Sequence, residues 1–147
     1  MCLRTYQIYI IDNEFASHYF GREGMFFQLF QEYDESEGEL QTILLKQIYY
    51  ITNSIPSIRL HQYLQQQLQM TKGFYVSGGL YGIDHGRTSS ATLEVSERHL
   101  TLKAQGSYEA ETRFFEILRK NKENYLAIDL RNQRYGWLKP IKERKFV

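Results

Sequence analysis

The sequence predicts an α+β fold in which α-helices pack on the faces of one mixed, mostly antiparallel β-sheet. Three observations carry that expectation. A β-branched strand opens the chain, segments of helical period dominate the first half, and segments alternating in period two fill much of the second. The 147 residues, 42% hydrophobic and 15% aromatic, suffice for a single core. No repeat, low-complexity run or linker divides them, so 1–147 reads as one domain.

The opening strand is Thr5-Tyr6-Gln7-Ile8-Tyr9-Ile10-Ile11, ending at the turn and cap pair Asp12-Asn13. A first helix is expected over 14–23 and a second over 23–33, where Phe26, Leu29, Phe30 and Tyr33 keep helical spacing. The acidic run 34–39 reads as a solvated loop, and 40–51 as an amphipathic helix. Pro56 ends that helix or starts the next, in which Leu60, Leu64 and Leu68 recur every fourth residue. Glycines at 73, 78, 79, 82 and 86 suggest irregular strands or bulges. Strands at 91–95 and 99–104 form a hairpin around Ser96-Glu97-Arg98. Ser107 is the expected N-cap of a helix over 108–120, with Ala110, Phe114, Ile117 and Leu118 as its buried stripe. Two more strands, 125–130 and 135–138, close the pattern.

Composition excludes several function classes. Eighteen Lys and Arg against seventeen Asp and Glu leave a net charge of +1, so no direct nucleic-acid partner is expected. The single cysteine, Cys2, suits a reducing, cytoplasmic compartment. No segment approaches the roughly 20 apolar residues of a membrane span. His18, His61, His85 and His99 never fall at metal-ligand spacing, so no metal is expected, and no nucleophile elbow or P-loop supports catalysis or a cofactor. The enzymatic alternative is a small enzyme or ligand-binding domain using the Gly-rich segment with Asp84 and His85 as an acid/base pair. The run 77–82 offers backbone amides to an anion in that reading, and strand bulges in the other. The basic segment 139–147 reads either as a solvated end or as a means of steering toward an acidic partner.

The stretch Glu14-Phe15-Ala16-Ser17-His18-Tyr19-Phe20-Gly21-Arg22-Glu23 carries more aromatic surface than one helical face can hide. As a helix it places Phe15, His18, Tyr19 and Arg22 on one side, with Phe20 well round from them. Exposed aromatics beside an Arg and a His have the composition of a protein-binding surface. If the helix ran unbroken through Gly21, Phe15 and Tyr19 would instead join Phe26, Phe30 and Tyr33 in a core stripe. A glycine stop at Gly21 separates the two readings.

That stretch, with 106–120 and 134–147, resembles the SirA family, the sporulation inhibitors of replication of Bacillus-type bacteria. The resemblance implies a small cytosolic protein without enzymatic activity or cofactor, whose partner is domain I of the initiator DnaA. It implies that binding prevents new rounds of replication as cells commit to sporulation. It also implies a β-sheet with helices on its faces, and a partner-binding surface that includes Phe15, Tyr19 and Gln47. In this reading the two rings insert into a groove on the partner, and Glu14, His18 and Arg22 form the polar rim.

Overall fold

A computed structural model describes residues 3–139. Cys2 and the basic segment beyond Lys139 lie outside the described residues. In chain order the elements are β1 (Leu3–Ile11), α1 (Asn13–His18), α2 (Gly24–Glu35), α3 (Gly38–Ile51), β2 (Thr52–Asn53) and α4 (Ser57–Leu68). There follow β3 (Phe74–Ser77), β4 (Leu80–Asp84), β5 (Ser89–Val95), β6 (Leu100–Gly106), α5 (Glu109–Arg119), β7 (Tyr125–Asp129) and β8 (Arg134–Trp137). The fold is α+β, as the sequence predicts. No helix among the described residues is long and apolar enough to cross a membrane.

The strands form one sheet in the order β3-β4-β5-β6-β1-β7-β8, with β2 paired to the end of β1 and every pairing antiparallel. Alternation along β1 sends Tyr6, Ile8 and Ile10 into one cluster and Tyr9 and Ile11 into another. Strand β7 divides the same way, Tyr125 and Ala127 against Leu126 and Ile128. Strands apolar on both faces must be covered on both, so the helices split into two layers. Leu60, Leu64 and Leu68 of α4 and Phe114, Ile117 and Leu118 of α5 cover one face. Ala16 of α1, Phe26, Phe27 and Phe30 of α2 and Ile48 of α3 cover the other. On that second face β5 and β6 present Glu94, Lys103 and Gln105 to solvent, so this layer extends over only part of the sheet.

Several local expectations change. The acidic run 34–39 is mostly helix: α2 continues to Glu35 and α3 begins at Gly38. Carboxylates at the end of α2 oppose its dipole, which makes them read as loop, but no residue there breaks the helix. The turn comes at Gly38, with φ of 64°. The Gly-rich segment is a regular hairpin, β3 with β4, whose connecting pair Gly78-Gly79 has φ of 57° and 83°. Two consecutive positive φ values are what a tight hairpin turn of primed type needs. Ser107 does not cap α5; Tyr108 occupies that position without a side-chain capping bond.

The least anticipated feature is a buried polar network between β1 and α5. Glu111, in the first turn of α5, is 1% exposed. It accepts from Arg4 Nε at 2.8 Å and also from Arg4 Nη2 and the Tyr6 hydroxyl. Burial, and then the bond to Glu111, push the Tyr6 hydroxyl up to about 12, so it remains a donor at neutral pH. Arg134 Nη2 extends the network to buried Asp129, donating to its Oδ2 at 3.0 Å. Burial alone would raise the Asp129 carboxyl, but hydrogen bonds from Asn132 and Arg134 outweigh it and hold the group below its usual value.

A second anchor fixes the end of α3 on the partly covered face. Arg98, at the β5–β6 corner, donates through Nη2 to the carbonyls of Tyr49 and Thr52, each at 3.0 Å, and its guanidinium lies 4.5 Å from the centre of the Tyr49 ring. The end of α3 is thereby tied to a strand corner.

Removing Glu111 leaves the Arg4 guanidinium buried and uncompensated. Glu111→Ala is therefore expected to lower unfolding free energy by about 3 kcal/mol or more, read from urea denaturation at pH 7.

Candidate functional site

Helix α1 is only six residues long. Asp12 caps it by accepting from the Glu14 amide at 3.1 Å. It stops at Tyr19, and Gly21, with φ of 80°, turns the chain toward α2. The glycine stop is therefore present, and the unbroken aromatic stripe is not. The expected helix over 14–23 shortens accordingly to Asn13–His18.

The turn folds α1 back against α2 and α3. Phe15 and Tyr19 stack nearly parallel, with centroids 6.5 Å apart and 5° between planes. Tyr19 meets Phe26 edge-on at 5.9 Å, and Phe15 meets Tyr50 of α3 at 5.3 Å. Both rings are half-buried, flanking the core cluster of that face. They do not stand clear of the protein, because so short a helix is held in place by its own aromatic side chains.

Between the three helices lies an open, mainly apolar groove of about 690 Å³. Phe15, Tyr19 and Gln47 all line it, so residues spread from α1 to α3 converge on one surface. The expectation that the two rings project into a partner's groove is corrected: here they are walls of a concave site. Glu14, His18 and Arg22 do not line it. Glu14 follows the helix cap, His18 packs edge-on to Tyr19 at 5.0 Å, and Arg22 lies in the exposed turn. The charged positions on the groove are Glu32 and Lys46.

Sequence reading missed Met25, Leu29, Ile43 and Tyr50, which complete the groove. The signal was present in α3. Ile43, Gln47 and Tyr50 fall at i, i+4 and i+7 on one face, beside the buried stripe of Leu44 and Ile48. Two adjoining stripes, one buried and one exposed, mark a helix that serves both a core and a surface. Tyr50 is 75% exposed, the most accessible aromatic ring of the groove.

Asp84 and His85 do not form an acid/base pair. The Asp84 carboxylate accepts from the Gly86 amide at 2.7 Å, in a local turn. His85 faces Ser89 Oγ at 3.2 Å and the Lys72 carbonyl at 3.3 Å. A shallow cleft of about 490 Å³ includes His85 but not Asp84. The glycines at 78 and 79 make the hairpin turn and Gly82 lies beneath the Tyr75 ring, which leaves no room there for a side chain. The Gly-rich segment is thus accounted for by strand geometry.

The family described as "Sporulation inhibitor of replication protein SirA" matches residues 4–142 of this chain. A protein of Bacillus subtilis (strain 168) with that same description is 44% identical over 147 residues, covering 98% of this chain and 99% of its own length.

Half-burial makes the two α1 rings matter for stability, whereas Tyr50 is mostly free of the core. Phe15→Ala is expected to cost about 1–2 kcal/mol, below the range for a fully buried ring, and Tyr50→Ala under about 0.5 kcal/mol. Thermal melts of the two variants check the contrast.

Proposed function

The chain belongs to the SirA family, and on that premise we propose that it inhibits initiation of chromosome replication during sporulation by seating domain I of the initiator DnaA on the α1–α2–α3 groove. The observation that carries this reading is the convergence of Phe15 and Tyr19 with Gln47, distant from them in sequence, on a single apolar groove. The physical character of that groove supports it. Aromatic walls with little conformational freedom lose little entropy on docking, and a concave apolar surface bordered by polar groups is typical of a hot-spot pocket.

The action is occupancy. A projecting apolar group of the initiator domain enters between the Phe15 and Tyr19 rings on one side and Tyr50 and Ile43 on the other. The exposed Gln47 amide supplies a donor and an acceptor beside it, which penalises a partner that leaves them unpaired. Glu32 and Lys46 at the margin act on orientation and encounter rate more than on affinity. Inhibition follows from covering a surface that other initiation proteins need. No bond is made or broken, so neither a catalytic group nor a cofactor takes part, and the setting is the cytoplasm.

Calorimetric titration of the protein with isolated DnaA domain I tests the proposal. Tyr50→Ala is expected to weaken association by about tenfold or more, the equivalent of roughly 1.4 kcal/mol, with its melting curve unchanged. Ile58→Ala, on the other helix layer, is expected to leave affinity as it is. Absence of binding by the parent protein, or undiminished binding by both Tyr50→Ala and Gln47→Ala, overturns it.

A further inference from the structure

The net charge of +1 conceals a separation of charge. Residues 12–58, which build α1, α2 and α3, hold eight carboxylates against two cations, Arg22 and Lys46. Residues 119–139 hold six cations against two carboxylates, Glu123 and Asp129. No Asp or Glu occurs between Glu39 and Asp84, so α4 carries none. The expectation that nucleic acid is not a partner rests on the sum, whereas a phosphate responds to charges within a Debye length, about 8 Å at physiological salt. The two helix layers lie on opposite faces of the sheet, so the acidic layer and the opposite surface face different regions of solvent.

On that opposite surface the start of α4 and the end of α5 enclose a cleft of about 350 Å³. Arg59, Lys120 and Lys122 line it, with Glu123 as the single carboxylate. All three cations are exposed, and among the described residues none takes part in an ion pair. Lys139 adjoins them, its Nζ donating to the Lys122 carbonyl at 2.7 Å and the Asn121 carbonyl at 3.3 Å. Along α4, Gln62 and Gln66 share the exposed face of Arg59. Three cations and two side-chain amides, against Glu123 as the single carboxylate of the cleft, suit the oxygens of a phosphodiester backbone.

We propose that this cleft and the adjoining glutamine face of α4 form a second binding site, for the phosphate backbone of duplex DNA, read without regard to base sequence. An anionic membrane fits less well. A helix lying on lipid buries a continuous apolar face, and the outward residues of α4 and α5 are Gln62, Gln65, Thr112, Glu116, Arg119 and Lys120, with Ile58 an isolated aliphatic. The site stands on the other face of the sheet from the aromatic groove, so the two surfaces are available at once.

The test is fluorescence anisotropy of a labelled duplex of about two helical turns, titrated with the whole protein over a range of salt. Expected is association that weakens with salt, with a log–log slope of about −3 for three or four neutralised phosphates. The triple variant Arg59→Gln/Lys120→Gln/Lys122→Gln is expected to bind at least about tenfold more weakly and with a slope shallower by two or more. Lys122→Gln alone should lose about threefold. These side chains are exposed, so the melting curve is the control for folding. Lys46→Gln and Tyr50→Ala, on the groove side, are expected to leave duplex binding unchanged, which keeps this result separate from the partner titration. No salt-sensitive association, equal binding by the triple variant, or binding to vesicles of mixed phosphatidylcholine and phosphatidylglycerol without binding to the duplex overturns the proposal.

Discussion

The second half of β1 has no polar face, and the rest of the architecture follows from that constraint. Ile8, Ile10 and Ile11 are all but completely buried, yet they point in opposite directions. Each contributes about 2 kcal/mol if both sides are dry and little if either is wet. Two helix layers are therefore required, and β7 beside β1 makes the same demand. The five helices among the described residues divide as three and two because the lower-numbered ones follow β1 directly while α4 and α5 reach the opposite face after passing through other strands. That division also sorts the chemistry of the surface, placing the aromatic groove and the eight carboxylates of residues 12–58 on one side and the cations of the α4–α5 cleft on the other.

The aromatic groove exists because α1 is too short to be stable alone. A six-residue helix lies well below the length at which an isolated helix persists in water. Ala16 seats it on the core, and Phe15 and Tyr19 brace it against Tyr50 and Phe26. The rings thus perform two tasks, holding α1 in place and forming the walls of the site. A surface made in this way is preorganised, since the contacts that order it are already formed before any partner arrives.

Much of this was legible in the sequence, and the failures have identifiable causes. Period-two and period-3.6 patterns locate the β5–β6 hairpin, α4 and α5, because those elements bury one clear stripe, and the β-branched and aromatic run 5–11 locates β1. Of the two readings that Gly21 separates, the chain adopts the glycine stop. The run 34–39 reads as a solvated loop from its charge, whereas only Ser36 and Glu37 lie outside helix. Glu111 stands in the first turn of α5, where an acid favours the helix dipole, and nothing local distinguishes that role from a buried partner of Arg4, 107 residues away. Resemblance supplied Phe15, Tyr19 and Gln47, but the concavity they share depends on how three helices meet, which periodicity within any one helix does not encode. Glu14, His18 and Arg22 were grouped with the rings by assuming a longer helix than the chain forms.

The guanidinium of Arg98 carries a consequence for motion. By donating to the Tyr49 carbonyl in the last turn of α3 and to the Thr52 carbonyl just beyond it, it couples the end of that helix to the β5–β6 corner. Opening of the helix end then requires loss of contacts made at the sheet corner, and not fraying of the helix alone. The wall of the groove that bears Gln47 and Tyr50 is fastened at that same point.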